Sequence, residues 1–166
     1  MTRATSKSYS PALICLALVL AISSCAKQSL PDNAGGLGLN NATPGSEQDF
    51  TVNVGDRVFF TTDSTNLTGQ ARGTLDKQAQ WLARYANYPI TIEGHADERG
   101  TREYNLALGA RRAAAVRDYL VARGVNASRI KTISFGKERP VAVCNDISCW
   151  SQNRRAVTLL TAPTGS

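Results

Sequence analysis

The sequence predicts an α/β fold, an α+β sandwich in the order β-α-β-α-β-(short helix)-β, with helices packed on a small mixed sheet. Three observations predict it. Ile90 and Ile92 alternate with Thr91 and Glu93, and residues 155–160 alternate again, the period of half-buried strands. Two other segments carry apolar residues at helical spacing: Ala71, Leu75, Ala79, Leu82 and Ala86, then Leu106, Ala110, Ala113, Val116 or Arg117, and Leu120. Between them stand stop residues, Asn87 with Pro89 and later Gly124.

Taken in order, Val52, Val54 and Val58-Phe59-Phe60 mark β structure, with Gly55-Asp56 as a turn. Residues 61–66 read as a loop, and Thr68 or Gly69 opens the first helix. The strand from Ile90 follows. Thr101 can cap the second helix, and Glu103 in its first turn suits the positive helix end. Gly124 occupies the usual position after a helix end, with Val125 free to pack back. Residues 131–135 make a third strand and residues 155–160 the last. The domain is expected over residues 50–166, enough for one core.

The first residues have a different character. Arg3 and Lys7 precede the uncharged run Ala12–Ile22, whose eleven residues are too few to span a membrane as a helix. The run reads as the apolar part of an export signal, residues 1–24, removed from the mature chain. Ile22-Ser23-Ser24-Cys25 resembles the bacterial lipobox, which implies acyl chains on Cys25; several chains on one residue anchor stably. Residues 26–49 are rich in Gly, Asn, Ser and Pro and read as a tether. Fully extended, it would reach about 80 Å, and as a coil about 25–30 Å.

Removing the leader takes two cations and no acids, so seventeen Lys and Arg against thirteen Asp and Glu leave +4 instead of +6. That balance suits anionic surfaces or polymers without naming one. Export argues against nucleic acid as a partner.

Chemistry concentrates in ITIEGHADERGTREYNLALGARRAAA, residues 90–115. Asp97 lies in a loop and Arg112 in the helix beyond it, so a carboxylate and a guanidinium on two elements can grip a zwitterion from both ends. Asp97 can equally stabilise a turn or pair with Arg99, and spacing alone does not separate Arg112 from Arg111. By spacing, Arg112 shares a side with Asn105, Gly109 and Val116, beside the apolar stripe. His95 is the lone histidine and lacks the convergent partners a metal needs; it reads as a packed strand-end residue. No G-x-S-x-G nucleophile elbow occurs, and no cofactor is implied. An envelope hydrolase would have to draw on Asp97, Glu98 or Glu93. Cys144 and Cys149 border a short loop; in an exported chain a local disulfide is the default and two free thiols the alternative. Closing so short a loop contributes roughly 2 kcal/mol.

GHADERGTREYN, LGARRAAAV, SFGKERP and NRRAV resemble the OmpA-like peptidoglycan-binding domain family, from about Val58 to Leu160. The resemblance implies a binding domain without catalysis. It further implies recognition of the diaminopimelate residue of peptidoglycan, with Asp97 as the key acid and Arg112 as the key arginine. The loop after the first strand also lines the pocket in the family. Many members carry an acid where this chain has Thr61 and Thr62, so Thr62 and Asp63 are its polar candidates. Asn153-Arg154-Arg155 matches the family's run into the last strand, which makes Arg155 a candidate buttress of the pocket. Resemblance to the lipid-anchored members further implies an outer-membrane location, partnership with the Tol proteins and a part in envelope constriction at division.

Overall fold

The structure, a computed structural model, describes residues 42–161. The expected export leader, Cys25 and most of the expected tether lie outside the described residues.

The chain enters through a short helix α1, Glu47–Asp49, continued by a π-helical turn, Phe50–Gly55. Strand β1, Arg57–Phe59, leads to helix α2, Gly69–Arg84. Strand β2 spans Ile90–His95 and helix α3 Arg102–Ala122. After a 3-10 turn come strand β3, Ile130–Gly136, helix α4, Ile147–Asn153, and strand β4, Arg155–Leu160. The sheet order is β1-β4-β2-β3; β2 and β3 are parallel, and β4 is antiparallel to both β1 and β2. The expected mixed sheet with helices packed on it is the fold found.

The local reasons are those the sequence offers. Thr68 and Thr101 accept from the backbone N–H groups of Ala71 and Tyr104, which caps α2 and α3. Gly124, at φ +93°, ends α3, and Val125 N–H donates back to Leu120 while its side chain is buried. Val58, Ile90, Ile92 and Ala156 of the sheet pack on Leu75 and Leu82 of α2 and on Ala113, Val116 and Leu120 of α3.

Two expectations are corrected. Val52 and Val54 belong to the π-helical turn and not to a strand. Ser46 caps this segment by accepting from Asp49 N–H, and the Asp49 carboxylate accepts from Gly45 N–H and Trp81 Nε1, each at 2.8 Å. The Phe50 ring meets Trp81 edge-on at 5.0 Å. A cap and an anchor thus override the alternating pattern, and structure begins before residue 50.

The buried stripe of α3 is the second correction. Leu106, expected inside, is 43% exposed, whereas Asn105, Leu108, Gly109 and Arg112 are buried. The side of the helix assigned to Arg112 is its inner face.

What fixes that face is a close backbone approach. A Cβ on Gly94 would meet the Gly109 carbonyl, and one on Gly109 would lie 2.8 Å from the Gly94 oxygen and against Ser134. Two glycines therefore let α3 rest directly on β2. Arg112, one turn beyond Gly109, is brought against the strand end that leads into Asp97.

Candidate ligand-binding site

Asp97, Arg112, Thr62 and Asp63 line one cavity of about 330 Å³, together with Arg99, Tyr104 and Leu108. Its walls come from the β1–α2 loop, the β2–α3 loop and the first half of α3.

Arg112 is 0% exposed. Its Nε donates to Ser64 O (3.0 Å), Nη1 to His95 O (2.8 Å) and Nη2 to Thr61 O (3.2 Å). Three of a guanidinium's five N–H groups are thus engaged, leaving one on each terminal nitrogen. Among the described residues, no carboxylate hydrogen-bonds to it. Burial lowers the guanidinium from its ordinary value to about 10, although the charge of Asp97 works the other way. The group stays cationic at neutral pH. Arg111, its rival by spacing, is exposed.

Asp97 is nearly buried and its carboxylate is fully occupied. It accepts from Arg99 through backbone N (3.2 Å), Nε (3.1 Å) and Nη2 (2.7 Å), and from Arg154 Nη1 (3.3 Å). Burial pushes the carboxyl up, but the Arg99 and Arg154 bonds outweigh it and hold the group below the usual carboxylate range. The pairing with Arg99 left open by the sequence is present, and it coexists with a place in the cavity.

Asp63 adopts φ +51° and accepts from the Tyr104 hydroxyl, which ties the β1–α2 loop to α3. Thr62 lies exposed at the rim.

Arg155 does not buttress the cavity. It alternates with Ala156 and projects from the sheet face away from the helices, donating to Arg139 O at 3.2 Å. Its neighbour Arg154 takes the expected role, bridging Asp97 and Phe60 O (3.1 Å). Arg154 and Tyr104 are the site residues that sequence spacing did not single out.

His95 is a packed residue, 1% exposed and stacked on Phe135 at 5.7 Å, while its carbonyl positions Arg112. Burial, then the charges of Arg155 and Arg139, lower its imidazole from 6.5 to about 4. The unfolded chain binds this proton at higher pH than the folded one. The stability is therefore complete above about pH 6.5 and lost as pH falls toward 4, by roughly 2–3 kcal/mol, with Glu93 at 3.4 Å offsetting part. His95→Gln is expected to flatten that slope, read as denaturant midpoints across the same pH range.

The Cys144–Cys149 pair forms a disulfide with a Cα–Cα distance of 5.6 Å. It closes the loop that enters α4 and presents Trp150, whose Nε1 donates to the Glu98 carboxylate.

A two-layer domain with a buried arginine and a paired aspartate around one cavity defines the class. Residues 59–154 match the OmpA family, and the chain belongs to that family. Its relatives include the peptidoglycan-associated lipoprotein of Rhizobium meliloti (strain 1021), 71% identical over 90% of this chain and 87% of that protein. The peptidoglycan-associated lipoprotein of Mesorhizobium japonicum is 64% identical over 96% of this chain and 97% of its own length. Among solved structures, the peptidoglycan-associated lipoprotein from Burkholderia pseudomallei aligns with a TM-score of 0.62 at 43% identity, covering 64% of this chain and 90% of that one. The C-terminal domain of Helicobacter pylori MotB shares the fold at 20% identity, with a TM-score of 0.61 over 66% of this chain and 86% of that one.

Proposed function

We propose that this chain is an outer-membrane lipoprotein that tethers the membrane to peptidoglycan by binding the diaminopimelate residue of the stem peptide. One observation carries the reading. Among the described residues, Arg112 is a buried cation with two unengaged N–H groups and no carboxylate bond, in the same cavity as Asp97.

The free end of diaminopimelate bears an ammonium and a carboxylate on one carbon. Arg112 takes the carboxylate by a two-pronged, charge-assisted contact, and Asp97 accepts from the ammonium. Tyr104 and Asp63 close the rim. A lysine-type peptide brings an ammonium alone and leaves the desolvated guanidinium without its anion.

Titration with a diaminopimelate stem peptide and its lysine counterpart tests this. The lysine peptide should bind at least about a hundredfold more weakly; equal affinities would sink the reading. Asp97→Asn should lose about 2–5 kcal/mol of binding.

Cys25 is the expected lipid anchor, so Cys25→Ser should release the protein from membranes. Partnership with Tol proteins and a part in constriction at division belong to the same reading, drawn from the family resemblance.

The hydrolase alternative finds its acids dispersed. Glu93 lies on the opposite sheet face near His95 and Arg139, and Glu98 is bonded to Trp150. Asp97, held low, has no proton to donate at neutral pH. Purified sacculi should show no turnover.

A further inference from the structure

In this structure the cation on Asp97 belongs to the protein itself. We propose that Arg99 is a built-in competitor for Asp97, an internal cation that the ligand's ammonium displaces, and that this competition makes the site demand a zwitterion. The inference rests on the diaminopimelate reading of the cavity.

The bonds to Asp97 divide into two kinds. Arg154, itself buried, and the Arg99 backbone N–H approach from the protein side and hold the carboxylate in place. The Arg99 side chain approaches from the cavity, which it lines, and is 41% exposed. Its backbone is pinned: Asn105 Nδ2 donates to Arg99 O at 2.7 Å, and Lys137 Nζ to the carbonyls on either side, Glu98 O at 3.1 Å and Gly100 O at 2.7 Å. Only the side chain is free to leave.

A second station waits for it. The guanidinium carbon of Arg99 already lies 4.2 Å from the centre of the Trp150 ring, and Trp150 Nε1 holds the carboxylate of Glu98 beside it. Trp150 directly follows Cys149, so the disulfide fixes the loop that presents this ring. A displaced Arg99 keeps the aromatic face and turns to Glu98 in place of Asp97.

The consequence for specificity is arithmetic. Exchanging one cation for another on Asp97 cancels part of what the ligand's ammonium gains, because the pair with the partly exposed Arg99 side chain is given up. The undiscounted part of the binding then comes from a carboxylate on the two free N–H groups of Arg112. A ligand with an ammonium alone gains only that reduced contact. A zwitterion gains the whole Arg112 contact.

The test uses the full chain purified in detergent, titrated with the diaminopimelate tripeptide and its lysine analogue. Arg99→Ala should bind the diaminopimelate peptide about fivefold more tightly, the upper range for a partly exposed ion pair, and should gain affinity for the lysine peptide too. Unchanged or weakened binding of the diaminopimelate peptide overturns the proposal, because Arg99 would then be a bystander or a direct contact. A second readout is the Nε–H resonance of Arg99 in the wild type, which should shift on peptide addition; a fixed resonance overturns displacement. Asp97→Asn separates the two levels. If it binds as the wild type does, the cavity reading itself fails; if it loses binding while Arg99→Ala is unchanged, only the competitor fails.

Discussion

Arg112→Lys is expected to abolish most peptide binding and to weaken the fold at the same time. A lysine ammonium reaches one point, whereas the Arg112 guanidinium serves Ser64 O, His95 O and Thr61 O from three nitrogens. Two of those carbonyls lose their donor, at about 1–3 kcal/mol for each buried polar group left without a partner. The β1–α2 loop, which is held to α3 through Ser64 and Thr61, loosens with them. Binding should fall by about 2–5 kcal/mol, since no planar fork remains for a carboxylate. Calorimetric titration and thermal denaturation of the same variant read both effects. Arg111→Lys, on the exposed neighbour, should change neither. Wild-type affinity in Arg112→Lys would remove the guanidinium from the recognition of the ligand.

Gly94→Ala is expected to be the most damaging single methyl in the domain. The added Cβ would run into the backbone carbonyl of Gly109, which no rotamer change relieves. Helix α3 must lift from β2, at about 3 kcal/mol or more. The shift also moves Arg112 away from His95 O, so surviving protein should bind poorly. Gly73→Ala is the control. It lies on an exposed turn of α2 with nothing within 4 Å of the new methyl, and should stabilise by about 0.5–1 kcal/mol through helix propensity. Equal denaturation midpoints for the two variants would contradict the close approach of α3 and β2.

The strands and helices that form the sandwich are legible because each buries one face with a regular period. β4 occupies the expected residues, and the caps at Thr68 and Thr101 lie where side chain and pattern agree. Legibility ends where a polar group is buried for a purpose. The second half of α3 obeys the apolar stripe through Ala113, Val116 and Leu120, but its first half turns Asn105, Gly109 and Arg112 inward. A period search that seeks apolar residues therefore places Leu106 inside. The family pattern, not the helical period, singles out Arg112. Arg154 is not legible because it stands at the junction of α4 and β4, where neither helical nor strand periodicity says which of two adjacent arginines faces the cavity. The Tyr104–Asp63 contact joins residues far apart in sequence, and no local pattern announces it.

The segment that precedes β1 has a mechanical meaning. Any tension arriving from the N-terminal side of residue 43 enters the domain at Gly45, whose carbonyl accepts from Tyr88 at 2.9 Å, and next at Asp49, locked to Trp81. Behind that lock stands β1, three residues on the sheet edge, paired among the described residues to β4 alone. Pulled directly, so short an edge strand would peel first. The Phe50–Trp81 contact and the capped turn take the load before it reaches the sheet. The cavity, built on the strand ends of β1 and β2, is thereby insulated from strain applied at that end.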